Sequence, residues 1–321
     1  MVQAFVVGLA SLVLAAVSPM LLLSPVDVEA PPAQLLIIEP EQEVQEQTVC
    51  LQTGGQVMEL PLEEYLVGVV LSEMPASFAP EALKAQAVTA RTFAMRQMDG
   101  GKHADCDVCD QSSCCQAWTG EKALQSKLGS GWQTYWNKAS YAVRTTAGEV
   151  LTYKGELIDA VYFSCSGGKT EDAVAVWGGQ VPYLQSVDSP GEEDASKFAS
   201  EVSVSLEQFK KTVLQACPEA VLNGAPAGWF GSVSRTRGGG VDAMVIGGHS
   251  FSGTELRRLF GLNSTNFAVS VTAEAVSFSV LGYGHRVGMS QYGANAMAAE
   301  GKTYRDILSH YYTGTELTQR A

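Results

Sequence analysis

Three groups of side chains in this sequence have the types and spacing to do chemistry. Glu73 ends a helix-forming stretch and is followed by Met74-Pro75. A carboxylate at a helix C-terminus meets partial negative charge, and apolar neighbours strip its hydration. Both effects raise its pKa towards the range that a general acid needs near neutral pH. The ordinary alternative is a surface glutamate in a helix-ending turn. The second group is His103, Cys106, Cys109, Cys114 and Cys115. Imidazole and thiolate are the ligands of tetrahedral zinc, and the spacing from His103 through Cys109 to Cys115 can wrap one ion. Short-range disulfides such as Cys106–Cys114 compete for the same thiols in an exported protein. The third group is the glycine-rich run Gly282 to Gly293, which contains His285, Ser290 and Gln291. Glycines at that density let backbone approach a ligand or another strand closely. The run matches neither a dinucleotide-binding loop nor a P-loop. A Ser/His dyad of His285 with Ser166 or Ser290 gets no support from spacing, and a structural turn packed into the core is the ordinary alternative.

These residues need elements to position them. Gln47 to Val57 is strand-like, with Gly54-Gly55 as a hairpin turn. Leu60 to Ser72 predicts a helix whose apolar face is Leu62, Leu66, Val69 and Val70. Pro61 suits its first turn and Pro75 stops it. A second helix is expected from Pro80 to Met98, with the small-residue stripe Leu83, Ala87, Ala90 and Ala94. Lys84 and Arg91 lie one step round that helix, and spacing alone makes theirs a solvated face. Tyr141 to Ala160 predicts short strands turning at Lys154-Gly155. After Pro190 the composition shifts. Gly191 to Lys197 reads as a solvated acidic loop, Leu206 to Gln215 as a short helix, and Ser232 to Ser250 as a hairpin region broken by glycines. Two short helices, around Ala294–Ala299 and Tyr304–Tyr311, close the chain. Helices mixed with short, separated and mostly antiparallel strands imply an α+β fold in two subdomains.

Bulk properties restrict the function. The chain has 321 residues, 46% of them hydrophobic, enough for a real core. Its formal net charge of −13 argues against nucleic acid as a partner, because phosphate contacts need Lys and Arg. Val2 to Leu23 is apolar apart from Gln3, Ser11, Ser18 and Pro19. That is long enough to span a bilayer, so residues 1–24 are expected to be a transmembrane anchor. A signal peptide cleaved near Val28-Glu29-Ala30 is the competing reading, and both export the remainder. Residues 25–45, rich in Pro and Glu, are expected to form a solvated tether. A catalytic core at 46–189, a second subdomain at 190–279 and a returning C-terminal segment at 280–321 complete the expected organisation.

Taken together, the motifs resemble the stage II sporulation protein D family. They are Leu62-Glu-Glu-Tyr-Leu-Val-Gly-Val-Val70, Ser72-Glu-Met-Pro75, Glu81-Ala-Leu-Lys-Ala-Gln-Ala-Val-Thr-Ala-Arg-Thr-Phe93, Cys115-Gln-Ala-Trp118, Ser164-Cys-Ser-Gly-Gly168, Val181-Pro-Tyr-Leu-Gln-Ser-Val187, Gly284-His-Arg-Val-Gly-Met-Ser-Gln-Tyr-Gly293 and Ile307-Leu-Ser-His-Tyr-Tyr-Thr-Gly314. The resemblance implies a membrane-anchored lytic transglycosylase that cuts peptidoglycan glycan strands during engulfment, between mother cell and forespore. It implies an amidase that strips the stem peptides first, and a membrane partner in the same complex. The family's catalytic glutamate falls on Glu73 and its active-site arginine on Arg91, which is then expected to point into the cleft with Glu73. Its zinc ligands fall on His103, Cys109 and Cys115, with Cys114 where the family has histidine and Cys106 as an extra thiol. Arg286 stands where the family has glycine. Lys84, Ser166, Tyr183, His285 and Gln291 are the residues expected to bind substrate. Two other functions compete: a glycan-binding enhancer of an amidase, which would not need Glu73, and a metal-dependent hydrolase, which closed thiolate-rich zinc sites disfavour.

Overall fold

The computed structural model describes residues 47–320. The expected anchor and tether lie outside the described residues, among which no helix is long and apolar enough to cross a membrane. The architecture is α+β, with small, mostly antiparallel sheets. Two parallel pairings break that rule, Leu51–Gln52 with Val108–Cys109 and Tyr162–Phe163 with Met289–Ser290, and both support the candidate site.

Strands Thr48–Thr53 and Gln56–Pro61 form a hairpin around Gly54-Gly55. Both glycines have positive φ, 55° and 78°, as a two-residue hairpin turn of this hand requires. The first helix, Leu62–Glu73, follows directly and ends where Met74 becomes extended, the conformation that a following proline favours. The second helix, Pro80–Met98, is the hub of the larger core. Leu83, Ala87, Ala90 and Ala94 are fully buried, and these mostly short side chains admit several close neighbours. Packed around it are the first helix, the helix Trp132–Arg144, the strand Glu149–Tyr153, and the two C-terminal helices Gln291–Ala299 and Tyr304–Tyr311. The strands expected from Tyr141 begin only at Glu149, because residues 132–144 are helical. Ala139, Ala142 and Val143 lie on one face of that helix and are buried, while Tyr141, whose type suggests a strand, is exposed.

A smaller core forms from residues 202–280. Ala199–Ser205, Phe267–Val271 and Ala275–Leu281 make one sheet. In the last of these strands, buried Val276, Phe278 and Val280 alternate with Ser277 and Ser279, the period of a half-buried sheet. Phe230–Arg235, Val241–Ile246 and His249–Ser252 make a second sheet, and the helices Leu206–Ala216 and Gly253–Phe260 complete the unit. The segment 282–293 then returns to the larger core. Arg286 has a left-handed backbone (φ 66°) that costs a non-glycine residue roughly 1–3 kcal/mol. Four hydrogen bonds offset this cost. Its fully buried guanidinium donates to Glu171 Oε1 (3.1 Å) and to the carbonyls of Ser166, Lys169 and Gly238. Glu171 in turn accepts from the Thr236 hydroxyl and the Gly240 amide.

Arg91 corrects both readings of its face. It is neither solvated nor turned towards Glu73. It is fully buried, and its guanidinium forks onto Glu63 at 2.8 and 2.6 Å. Glu63 lies at the opposite end of the first helix from Glu73, about 15 Å away along the axis. The remaining Arg91 donors go to the Thr146 hydroxyl and the carbonyls of Val143 and Glu149. All five N–H groups of the side chain are therefore used within the fold, and none is left for a sugar. Arg91→Met should lower the unfolding free energy by about 3 kcal/mol in urea titrations, the lower end for a broken buried pair because Glu63 keeps contact with water. Arg91→Lys should recover only part of the loss, since ammonium cannot fork. An unchanged unfolding midpoint would show that Arg91 does not clamp the helices.

Candidate active site

Three segments meet at Glu73. The first is its own helix, of which it is the last residue. The second is the loop after Cys115, which brings the Ala117 amide to 2.5 Å from Glu73 Oε1. Gly68 admits this loop, because any side chain there would collide with Trp118. The third is the parallel pair Tyr162–Phe163 and Met289–Ser290, in which Met289 lies opposite Tyr162. The next residue after this pair is Gln291, which begins a helix capped by the Ser290 hydroxyl. One short ladder therefore delivers both Tyr162 and Gln291.

Burial raises the pKa of Glu73 above its ordinary 4.5, and the Ala117 amide, the Tyr162 hydroxyl and the Gln291 amide press the other way by favouring the ionised form. Among the described residues, no second carboxylate is hydrogen-bonded to Glu73 or shifts its pKa. Desolvation also pushes the Tyr162 phenol well above its usual value, with the Glu73 charge adding to it, so the phenol stays protonated. Behind this layer, Tyr162 donates to Gln116 Oε1 (3.1 Å), and the Gln116 amide donates to Tyr65 Oη and the Ala90 carbonyl. The Gln291 amide contacts Gln86 Oε1 at 3.5 Å, while the fully buried Gln86 Nε2 has no partner among the described residues.

A cluster of metal-ligand type adjoins the site. The ligand atoms of His103, Cys109, Cys114 and Cys115 all lie within 4.8 Å of one another. His103 Nε2 is 3.2 Å from Cys115 Sγ and 3.7 Å from Cys114 Sγ. Tetrahedral zinc sets its nitrogen and sulfur ligands about 3.5 Å apart, so the four side chains fit that ion. Cys106 stands outside the quartet, near Gln52, and all seven cysteines are free thiols. The acidic residues of this loop tie it to the first strand: Asp107 accepts from the Cys50 amide and Asp110 from the Thr53 hydroxyl. Cys115 is two residues from Ala117, so the loop that carries the quartet also carries the amide that holds Glu73.

The other expected substrate-binding residues do not hydrogen-bond Glu73, although His285 bonds to the backbone of Tyr162. Lys84 pairs with Glu81 at 2.7 Å and lies over the rings of Tyr141 and Tyr304. Tyr183 accepts from the Asp159 amide and packs on Tyr153. Ser166 is fully buried, and its hydroxyl donates to Glu192. Glu192 itself corrects the expectation of a solvated acidic loop. It is 1% exposed and accepts from the Cys165 thiol, the Ser166 and Gly167 amides and the Ser189 hydroxyl. Gly293 is required beside it, because a Cβ there would collide with Tyr311, Ser189 and Glu192. His285 sits between the rings of Phe163 and Trp177, and burial pushes its pKa down to about 4, so it is neutral at physiological pH. Tyr162, Gln116 and Gln86 were not expected at the site. The sequence signal for the two glutamines was their polarity inside otherwise apolar motifs.

Removing a donor that favours the ionised carboxylate must raise the Glu73 pKa further. Tyr162→Phe and Gln291→Leu should each do so, read by NMR titration of carboxyl-labelled glutamate with Glu73→Gln as the assignment control. A downward shift in either variant would contradict this network.

Comparisons with known proteins agree with the motifs. A family profile described as stage II sporulation protein matches residues 52–153. The chain is 39% identical over 272 residues to stage II sporulation protein D of Bacillus subtilis (strain 168), covering 83% of this chain and 77% of that protein. It is 37% identical over 271 residues to the protein of the same name from Bacillus amyloliquefaciens, with the same coverage. An amidase enhancer of Bacillus subtilis (strain 168) is 31% identical over 311 residues, covering 79% of this chain and 40% of that protein.

Proposed function

The chain belongs to the stage II sporulation protein D family, and we propose that it is a lytic transglycosylase acting on peptidoglycan glycan strands with Glu73 as its acid and base. The observation behind this reading is a desolvated carboxyl with a raised pKa that no second carboxylate among the described residues hydrogen-bonds or shifts. Hydrolytic glycosidases use two carboxylates, one of them to activate water or attack the sugar. One suffices when the substrate supplies its own nucleophile. Protonated Glu73 donates its proton to the glycosidic oxygen as the anomeric C–O bond breaks. The 6-hydroxyl of the same sugar attacks the anomeric carbon, and its proton passes to the Glu73 carboxylate. The product is a 1,6-anhydro end, no water is consumed, and Glu73 is again protonated. A phenol has one hydrogen to donate. In this scheme Tyr162 gives it to Gln116 while Glu73 is protonated and to Glu73 once the carboxyl is ionised.

His103, Cys109, Cys114 and Cys115 are proposed to hold one zinc ion. A four-ligand thiolate-rich site is closed and contributes folding energy, not a reactive water. The part of the chain's own residues is to keep the Cys115–Ala117 turn in place, so that the Ala117 amide meets Glu73. The proposed setting follows the family: an anchor at residues 1–24, a catalytic part outside the cytoplasm between mother cell and forespore, and work alongside an amidase and a membrane partner. The likeness to an amidase enhancer supports a second reading, a glycan-binding activator with no need of the Glu73 proton.

Products released from peptide-stripped glycan strands by the purified full chain, analysed by mass spectrometry, separate the two. Wild type should yield 1,6-anhydromuramic ends, and Glu73→Gln should bind the strands yet release none. Cleavage by Glu73→Gln at the wild-type rate, or products with only reducing ends, would refute the transglycosylase. Cys115→Ser should lower zinc content, melting temperature and cleavage together. Loss of cleavage with zinc and melting temperature unchanged would contradict a structural ion.

A further inference from the structure

We propose a second metal site, in the smaller core, where Cys217, Glu219 and His249 bind one divalent d-block cation, zinc being the best fit, with a fourth position open to solvent. It is independent of the chemistry at Glu73. The thiol, carboxylate and imidazole ligand atoms all lie within 4.8 Å of one another. Tetrahedral zinc needs such atoms about 3–4 Å apart; Cys217 Sγ is already 4.0 Å from Glu219 Oε2, and a small side-chain rotation completes the set. Glu219 is exposed and free to make that move.

The backbone beneath the three residues is fixed. Cys217 ends the helix Leu206–Ala216, its amide bonded to the Val213 carbonyl at 2.8 Å. The Ala220 amide turns back to the Cys217 carbonyl at 3.1 Å, which holds Glu219 in a tight turn. His249 follows the Gly247-Gly248 turn, where it pairs with Ile246. The two segments are tied together beside the cluster, the Val221 amide donating to the Gly247 carbonyl at 2.9 Å. A Cβ at Gly247 would come within 2.8 Å of the Val221 nitrogen, so this approach depends on glycine.

The side chains themselves are uncommitted. Neither ring nitrogen of His249 has a hydrogen-bond partner among the described residues. The Cys217 thiol makes only a 4.0 Å contact to Glu219. One thiolate, one carboxylate and one neutral imidazole together carry a charge of about −2, which a divalent cation neutralises; those ligand types also suit zinc. The bound ion staples the helix end to the hairpin. With three protein ligands it retains a position for water or an external donor, unlike the closed quartet at His103.

Zinc per chain, measured by elemental analysis on the full chain purified without chelator, tests the site. Wild type should hold about two ions. Cys217→Ser combined with His249→Ala should halve that to about one, and Cys109→Ser combined with Cys115→Ser should also leave about one. Cobalt substitution gives a second readout: the thiolate-to-cobalt charge-transfer band of the Cys109/Cys115 variant should vanish when Cys217→Ser is added. If the Cys217/His249 variant keeps the wild-type zinc content, the second site is refuted while the quartet stands. If only the Cys217/His249 variant loses zinc, the quartet is refuted and the second site stands.

Discussion

The partial removal of one carboxyl from water is the constraint on which the larger core depends. Glu73 ends a helix that is buried from Tyr65 to Leu71, and the Ala117 amide holds its carboxyl in place. Desolvation alone would keep it neutral and inert. The Ala117 amide, the Tyr162 phenol and the Gln291 amide offset part of that penalty by favouring the ionised form. The loop after Cys115 delivers the first donor, and the pairing of Tyr162–Phe163 with Met289–Ser290 delivers the other two. That explains why a cysteine-rich loop, a two-residue parallel ladder and a C-terminal helix converge on one point.

Buried charges elsewhere hold those segments in register. Arg91 joins the first two helices to the Val143–Glu149 turn, and Arg286 joins the returning loop to the strand before Glu171 and to the 236–240 turn of the smaller core. Glu192 gathers the 165–167 loop and Ser189, which in turn contacts Tyr311. A buried charge is tolerated only when its hydrogen-bonding capacity is met. Each of these three therefore specifies a unique arrangement of the backbone around it, and the 164–168 and 282–293 loops have little freedom as a result.

What could be read from the sequence was local. The Gly54-Gly55 turn, the ends of the first two helices and the His103-to-Cys115 spacing all depend on residues within a few positions of one another. The positions that escaped notice depend on contacts across the chain. Tyr162 meets Gln116 only because residues 289–290 pair beside it, more than a hundred positions away. Glu192 reads as one acid in a solvated loop, and only the fold wraps the 165–167 loop around it. Arg91 was misplaced for a related reason: helical spacing gives the face, but not that Glu63 waits there. The family resemblance brought Glu73 forward and, with the same force, brought Arg91 forward for a role that its saturated guanidinium does not permit.

The account turns on Glu73 entering the reaction protonated, and the pH dependence of glycan cleavage tests this most directly. Turnover of peptide-stripped strands by wild type should fall as pH rises through a single pKa above 4.5, the pKa belonging to Glu73. In Tyr162→Phe that limb should move to higher pH, because a donor to the ionised form is gone. Turnover that instead rises with pH through this range, or a limb that Tyr162→Phe leaves in place, would contradict Glu73 as the acid.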